Sequence, residues 1–469
     1  MKRTDTVVRI VSGERFTPFA LAKKLEASCL LESSSFQKGR ERYSLLMVRE
    51  AFRLTQRPQG VDMRIGEKTL RVKSRARDIL ELQRYFADQH SPLGQDFPFP
   101  AGGIGYLSYE FCRRCDTVRL SRKHDSLNIP EAEFLFGHVF VVFDHYTDAL
   151  YIIGINYHEK EIDLYAAVDE VEARVNDMDF NYMQTDDRAY SAEILLEDDD
   201  RSRYENSVRR IREEIIEGNL LQAVPSRRLR VRTELPALEA YRRLRADNPS
   251  PYLFYLDFEG FELFGSSPEM HVKVRDGRVT IRPIAGTRRR GTTTEMDLEL
   301  ERELLADEKE RAEHLMLVDL ARNDIGRVCL PGSVEVTAFM TVERYSHVMH
   351  IVSQVEGTLK PGRTGVSAIR ATFPAGTVSG APKIRAIETV DSLEPEPRSF
   401  YAGLVGYMEP GGNMDTCIAL RTAAKKDNVV ILQAGAGVVF DSDPRREFDE
   451  TNEKLGALLR AIGIEEGQK

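Results

Sequence analysis

The sequence predicts an α+β fold. Strand-like segments come in antiparallel-looking runs separated by occasional helices, without the regular strand–helix alternation of a doubly wound sheet. Apolar residues make up 42% of the chain and charged residues 30%, which is the balance of a globular protein with a large core. The 469 residues contain no internal repeat and no low-complexity tract.

Taken in order, the first portion, 1–182, mixes a short helix at 19–25 with strands at 43–48, 136–143 and 150–155. Gly102, Gly103 and Gly105 lie close together but lack the strand-turn-helix setting of a phosphate loop, so close backbone packing is their expected role. The stretch 183–203 turns polar and acidic and is expected to link this portion to the second, 204–469. There, Tyr204, Val208, Ile211 and Ile215 mark an amphipathic helix ended by Gly218. Strands are expected at 252–256, 261–264, 272–274 and 278–281. Leu304, Leu305, Ala312, Leu315, Met316 and Leu320 then recur at helical intervals, which predicts one helix closing near Gly326. Extended segments follow at 333–336 and 348–355, and a helix begins at Pro382, where proline suits the first turn. Strands at 403–408, 415–422 and 429–434 precede a closing helix at 445–462.

A net charge of −9 and a pI near 5.7 argue against a nucleic-acid or anionic-membrane partner, because neither attracts an acidic surface. No apolar run approaches the length of a membrane span, and the N-terminus lacks an apolar signal core, so a cytoplasmic location is expected. Five scattered cysteines suit a reducing compartment. Cys112 and Cys115 have the spacing of half a zinc site, but no second pair stands near them, so neither a metal nor a redox role is assigned.

Two acidic pairs sit at helical spacing: Glu310 with Glu313, and Glu447 with Glu450. Spacing alone makes them solvated helix faces. The surrounding blocks change that. Arg282-Pro283-Ile284-Ala285-Gly286-Thr287-Arg288, the Glu310 helix, the segment ending Val348-Met349-His350, and Ala375-Gly376-Thr377-Val378-Ser379-Gly380-Ala381-Pro382-Lys383 resemble the chorismate-utilising enzymes. So do Tyr401-Ala402-Gly403-Leu404-Val405-Gly406-Tyr407, Ile418-Ala419-Leu420-Arg421-Thr422 and Gln433-Ala434-Gly435-Ala436-Gly437. The likeness is nearly gapless from about 204 to 462.

The resemblance implies two packed antiparallel sheets with helices outside and a cleft between them. It implies chorismate as substrate, with Mg2+ bridging the ring carboxylate to Glu310, Glu313, Glu447 and Glu450. Arg421 and Tyr401 would hold the enolpyruvyl carboxylate beside the backbone of Gly435 and Gly437. Lys454 would add a point charge, and Thr287 would stand near the ring. Glu269 occupies the family's acid position, Thr377 would hydrogen-bond near the ring, and His350 would stand by the departing pyruvyl group. Two positions separate the branches. Gln222 stands where the water-using members carry lysine, and Ala285 where the aminodeoxychorismate-forming members commonly do. Both point to ammonia as nucleophile and anthranilate as product, for tryptophan biosynthesis. The competing expectations are the folate-branch reaction and a catalytically silent tryptophan sensor.

Leu31, Glu32 and Ser33, together with Asn248, Pro251, Tyr252, Leu253 and Phe254, resemble the paired segments that hold feedback tryptophan in the family. None of the five cysteines stands in a Gly-x-Cys-x-Gly setting, so the ammonia is expected from a separate glutamine amidotransferase subunit, making a hetero-oligomer.

Overall fold

Two strands much longer than their neighbours set the architecture. Tyr43–Arg57 and Ala132–Asp144 pair antiparallel along almost their whole lengths, rich in the aromatic and branched residues that favour extended chain. Their register slips between Met47 and Phe52, and such bulges bend a strand and increase its twist. The computed structural model describes residues 6–35, 39–40, 42–93, 97–177, 188–195, 200–345 and 348–464.

On one side of the bulges the pair opens a first sheet. Cys29–Glu32 joins Tyr43–Arg57 and then Tyr252–Asp257, followed outward by Glu262–Ser267, Thr422–Lys426, Val429–Gly435 and Ser226–Thr233. On the other side, Ala132–Asp144 meets Ile104–Leu107, and the ladder continues through Leu404–Met408, Met414–Ile418, Met270–Arg275, Arg278–Ile281 and Val348–Thr358. Both expected sheets are therefore present and antiparallel, but they share their longest strands. Among the described residues, hydrogen bonding runs unbroken through twenty-one strands.

Side-chain alternation sorts the cores. In Tyr252–Asp257, Phe254 and Leu256 point into the layer between the sheets, while Leu253 and Tyr255 point into the layer under the helices. Pro18–Leu25, Leu164–Asn176, Ala237–Asp247 and Pro444–Ala461 cover that outer face with their apolar stripes. Gly105 allows the backbones to approach, because a Cβ there would lie 2.0 Å from Glu133 O. This is the packing role expected for the glycine-rich turn.

Three expected elements differ in ways that matter to the site. The single helix expected to run through Leu304 and Leu320 is two, Thr294–Ala306 and Glu308–Gly326. Asp307 breaks it by turning extended and accepting hydrogen bonds from Lys309 N and Glu310 N as an N-cap. The strand expected across 415–422 stops at Ile418 and resumes at Thr422, because Arg421 takes a left-handed backbone at φ 46°. Within 183–203, Ala192–Leu195 is a strand paired to Ser226–Thr233, and helix Asp200–Ile216 has already begun. Residues 183–187 and 196–199 lie outside the described residues, as do Ser346 and His347. Among the described residues, no helix is long and apolar enough to cross a membrane.

Candidate active site

Both acidic helices start in the same way. Asp307 caps Glu308–Gly326 and Asp443 caps Pro444–Ala461, each through its carboxylate, with Pro444 set in the first turn. Glu310 and Glu447 fall in those first turns, where the helix dipole favours an anion. Glu310 accepts from Arg288 at 3.4 Å, and Gly286 packs beside its other oxygen. Burial, then the neighbouring Glu313 charge, raises the Glu310 pKa, and burial followed by Glu450 does the same to Glu447, against relief from Ser442, Lys454 and Lys309. Because Lys309 acts on Glu447, the first turns of the two helices lie near each other. Among the described residues, however, no three metal-ligating side chains converge.

Gln222 ties the wall together. Its Nε2 donates to Glu313 Oε1 at 2.8 Å, and a Cβ on Gly437 would come within 2.7 Å of that nitrogen, so a side chain there would displace the Gln222 amide. The strand Gln222–Ala223 is held by Gly380–Ala381, just past the turn that carries Thr377.

Two cations, Lys454 and Arg421, stand near these groups. Lys454 reaches Glu450 Oε1 at 2.8 Å and Gly435 O at 2.9 Å. Its field also bears on Glu269 and His350, which places those residues around it. Arg421 bears on His350 as well, and burial lowers its own pKa. The Arg421 guanidinium makes no ion pair or side-chain hydrogen bond among the described residues. A half-buried cation without an acceptor among the described residues marks where an anionic ligand belongs. The Tyr401 hydroxyl lies by Gly435, with its pKa raised by burial to about 12, so it stays a neutral donor.

Glu269 is buried at the base of the cleft. Desolvation raises its pKa to about 8, with Thr377 and Lys454 pulling it partly back. It therefore carries its proton at neutral pH. Thr377 Oγ1 faces it but has no partner in full hydrogen-bond geometry. His350 is held the opposite way. Burial and the Arg421 charge lower its pKa to about 4, and Nδ1 lies 2.9 Å from Gly286 O and 3.1 Å from Thr287 Oγ1. The carbonyl fixes the proton on Nδ1 and leaves Nε2 as a neutral acceptor.

The expected catalytic and substrate-binding residues thus fall around one cleft through these chains of contacts. The expected tryptophan residues do not share one surface. Glu32 and Leu253 are cross-strand partners on the helix-covered face, where Glu32 accepts from Tyr241 at 2.7 Å and pairs with Arg245 at 3.1 Å. Leu31, Tyr252 and Phe254 pack toward the layer between the sheets. Asn248 donates to Ser266 at 3.0 Å, and Ser34 N donates to Ser250 O, joining the two segments at the strand entry.

Two buried residues were not anticipated: Arg398 and Glu394, which form an ion pair at 2.8 Å behind the cleft. Their i,i+4 spacing was the one signal in the sequence. Cys112 and Cys115 sit free in a short helix with thiol pKa values raised by burial, as inert thiols do.

The family described as chorismate binding enzyme matches residues 37–460. The chain belongs to that family. Its relatives include anthranilate synthase component 1 of Spirochaeta aurantia, 60% identical over 98% of this chain and 96% of the other. The same component from Pseudomonas putida is 40% identical over 96% and 93%. Among solved structures, anthranilate synthase component I from Streptococcus pneumoniae superposes with a TM-score of 0.80 at 34% identity, covering 89% of this chain and 92% of that one. The menaquinone-specific isochorismate synthase of Escherichia coli shares the fold at a TM-score of 0.73 and 19% identity, covering 97% and 94%.

Proposed function

We propose that this chain converts chorismate and ammonia to anthranilate, pyruvate and water, as the chorismate-converting component of an anthranilate synthase. The observation that carries this is 60% identity along nearly the whole of both chains to a relative of that name. The site chemistry agrees with it. A new C–N bond forms on the ring as the 4-hydroxyl leaves, and hydroxide leaves poorly unless protonated. Glu269, protonated at neutral pH, supplies that proton, and water departs. Arg421 and Tyr401 hold the enolpyruvyl carboxylate, with Gly435, Gly437 and Lys454 alongside. Thr377 and Thr287 line the ring, and His350 Nε2 stands ready to accept the ring proton when pyruvate is eliminated. Gln222, a neutral amide engaged by Glu313, cannot deprotonate water, which favours ammonia as nucleophile.

Magnesium fits the donor set. The Glu313 charge raises the proton affinity of Glu310 and the Glu450 charge that of Glu447, which a divalent cation relieves, and magnesium asks for only one or two protein carboxylates beside substrate and water oxygens. When bound, it neutralises the ring carboxylate among these acids. The ammonia would come from a docked glutamine amidotransferase subunit. Residues 1–182 would form the regulatory portion and 204–469 the catalytic one. Tryptophan would bind where the segments of Glu32, Ser33 and Asn248 meet.

The purified chain with chorismate, magnesium and an ammonium salt is expected to produce fluorescent anthranilate. It should fall silent with a chelator and with glutamine as sole nitrogen source. Accumulation of aminodeoxychorismate, or no turnover with ammonium, would overturn the reading. For regulation, Glu32→Gln keeps the Tyr241 contact but removes the charge. It is expected to raise the half-inhibiting tryptophan concentration by about tenfold, the scale of one charged hydrogen bond, with uninhibited turnover unchanged. An unaltered inhibition curve would remove Glu32 from the tryptophan site.

A further inference from the structure

Arg398 is among the largest fully buried side chains of the described residues. Its donors are distributed unusually. Nη1 donates to Val378 O at 2.8 Å, on the residue next to Thr377, and Nη2 donates to Val224 O, two residues past Gln222. Nε and Nη2 hold Glu394 at 2.9 and 2.8 Å, and Glu394 in turn accepts from Ser226 N at 2.8 Å and Ser226 Oγ at 2.7 Å. The guanidinium carbon lies 4.5 Å over the Tyr109 ring and 5.7 Å from the Tyr401 ring centroid. The backbone is pinned too. Arg398 N and Ser399 N donate to the Glu110 carboxylate at 2.8 and 3.1 Å, bracing a turn in which Ser399 and Ala402 both take positive φ on either side of Tyr401.

A buried Arg–Glu pair placed only for stability gains little, since its desolvation offsets most of the attraction. This one spends its fork on main-chain carbonyls from two segments and stacks beside a third, and each segment carries a cleft residue: Thr377, Gln222 and Tyr401. The three come from distant parts of the chain and, among the described residues, share no other buried cation.

We infer that Arg398, with Glu394 as its counter-ion, is the positioning residue that sets the mutual spacing of the Thr377, Gln222 and Tyr401 walls of the cleft. The inference rests on the proposed chorismate reaction. A planar fork reaches two carbonyls and a carboxylate at once, whereas a lysine ammonium keeps the charge but cannot span them. Misplacement by about 1 Å costs about 100-fold in rate.

The test compares Arg398→Lys and Glu394→Gln with the unaltered chain, in the ammonium-dependent assay and by circular-dichroism melting. Failure of the unaltered chain to make anthranilate would count against the reaction itself, not against Arg398. With that control active, Arg398→Lys is expected to fold and to lose about 100-fold in kcat/KM, with KM for chorismate raised as well as kcat lowered. Glu394→Gln should shift the same two constants in the same directions. A merely structural residue would lower activity in proportion to the folded fraction and leave KM where it was, and that result overturns the inference. So does failure of both variants to fold, since Arg398 would then be a core residue and nothing more.

Discussion

Glu269→Gln is expected to lower anthranilate formation by about 10²–10⁴-fold, the span that a positioned general acid contributes. The amide is nearly isosteric, so the base of the cleft keeps its shape and KM for chorismate should change little. What disappears is the proton for the departing hydroxyl. The same group sets a pH dependence whose sign follows from its buried state. Its pKa is about 8 in the folded chain, so the acid is present below that value and kcat should decline as pH rises through it. In the variant this decline should vanish from the residual rate. The stability effect has the same cause. A carboxyl whose folded pKa lies above its unfolded one binds its proton more tightly when folded, so its contribution to stability falls from the ordinary carboxylate range up to about pH 8 and is level beyond. The Gln variant should therefore lose less stability than the unaltered chain between about pH 5 and 8. Rates measured with saturating chorismate and ammonia, against an independently determined ammonia fraction at each pH, decide the matter. A variant with near-normal turnover would remove Glu269 from acid catalysis.

How much of this could be read from the chain differs from residue to residue. The strands and the two acidic helices were legible because periodicity and capping are local. Pro444 and the aspartates ahead of each helix announce where it starts. Asp307 was legible in the same sense, yet the apolar repeat running across it suggested one continuous helix. A single side chain satisfying two backbone N–H groups outweighed several residues of favourable period. The break at Arg421 was not legible, because nothing in Leu420-Arg421-Thr422 signals a positive φ. That conformation is held by tertiary contacts, among them Ser266 N donating to Arg421 O at 3.1 Å. The sharing of two long strands between both sheets was likewise hidden, since bulges at Arg49 and Glu50 leave no compositional mark. At the site, residue roles came from family likeness, while charge states came only from burial. Glu269 and Glu450 are the same residue type, but the first is enclosed and keeps its proton, and the second is half-exposed and paired with Lys454. The expected tryptophan segments pair as adjacent strands, but alternation sends their side chains to opposite faces. No spacing rule reveals which face a ligand would use.

Arg421→Met should separate binding from stability more sharply than any other change. In the unaltered chain the guanidinium is half-buried, its pKa lowered by desolvation, without an acceptor among the described residues. The folded state tolerates that charge together with a backbone at φ 46°, a conformation that costs about 1–3 kcal/mol. Strain and an unpaired charge at one residue mean the fold is not optimised there, and the shortfall is recovered only when a carboxylate arrives. Methionine fills a similar volume without charge. The thermal midpoint of the ligand-free variant is therefore expected to equal or exceed that of the unaltered chain, because replacing a poorly compensated buried ion with apolar volume is often neutral or stabilising. Chorismate binding should move the other way. Losing one partner of an enclosed charged pair costs about 2–5 kcal/mol, which is about 30- to 4,000-fold in KM. The two effects combine in one measurement. Chorismate at about 100 times its dissociation constant stabilises the unaltered chain by about 2.7 kcal/mol and should leave the variant's melting unmoved at the same concentration. A variant that melts several degrees lower while keeping its chorismate KM would show that Arg421 supports the sheet break rather than the substrate.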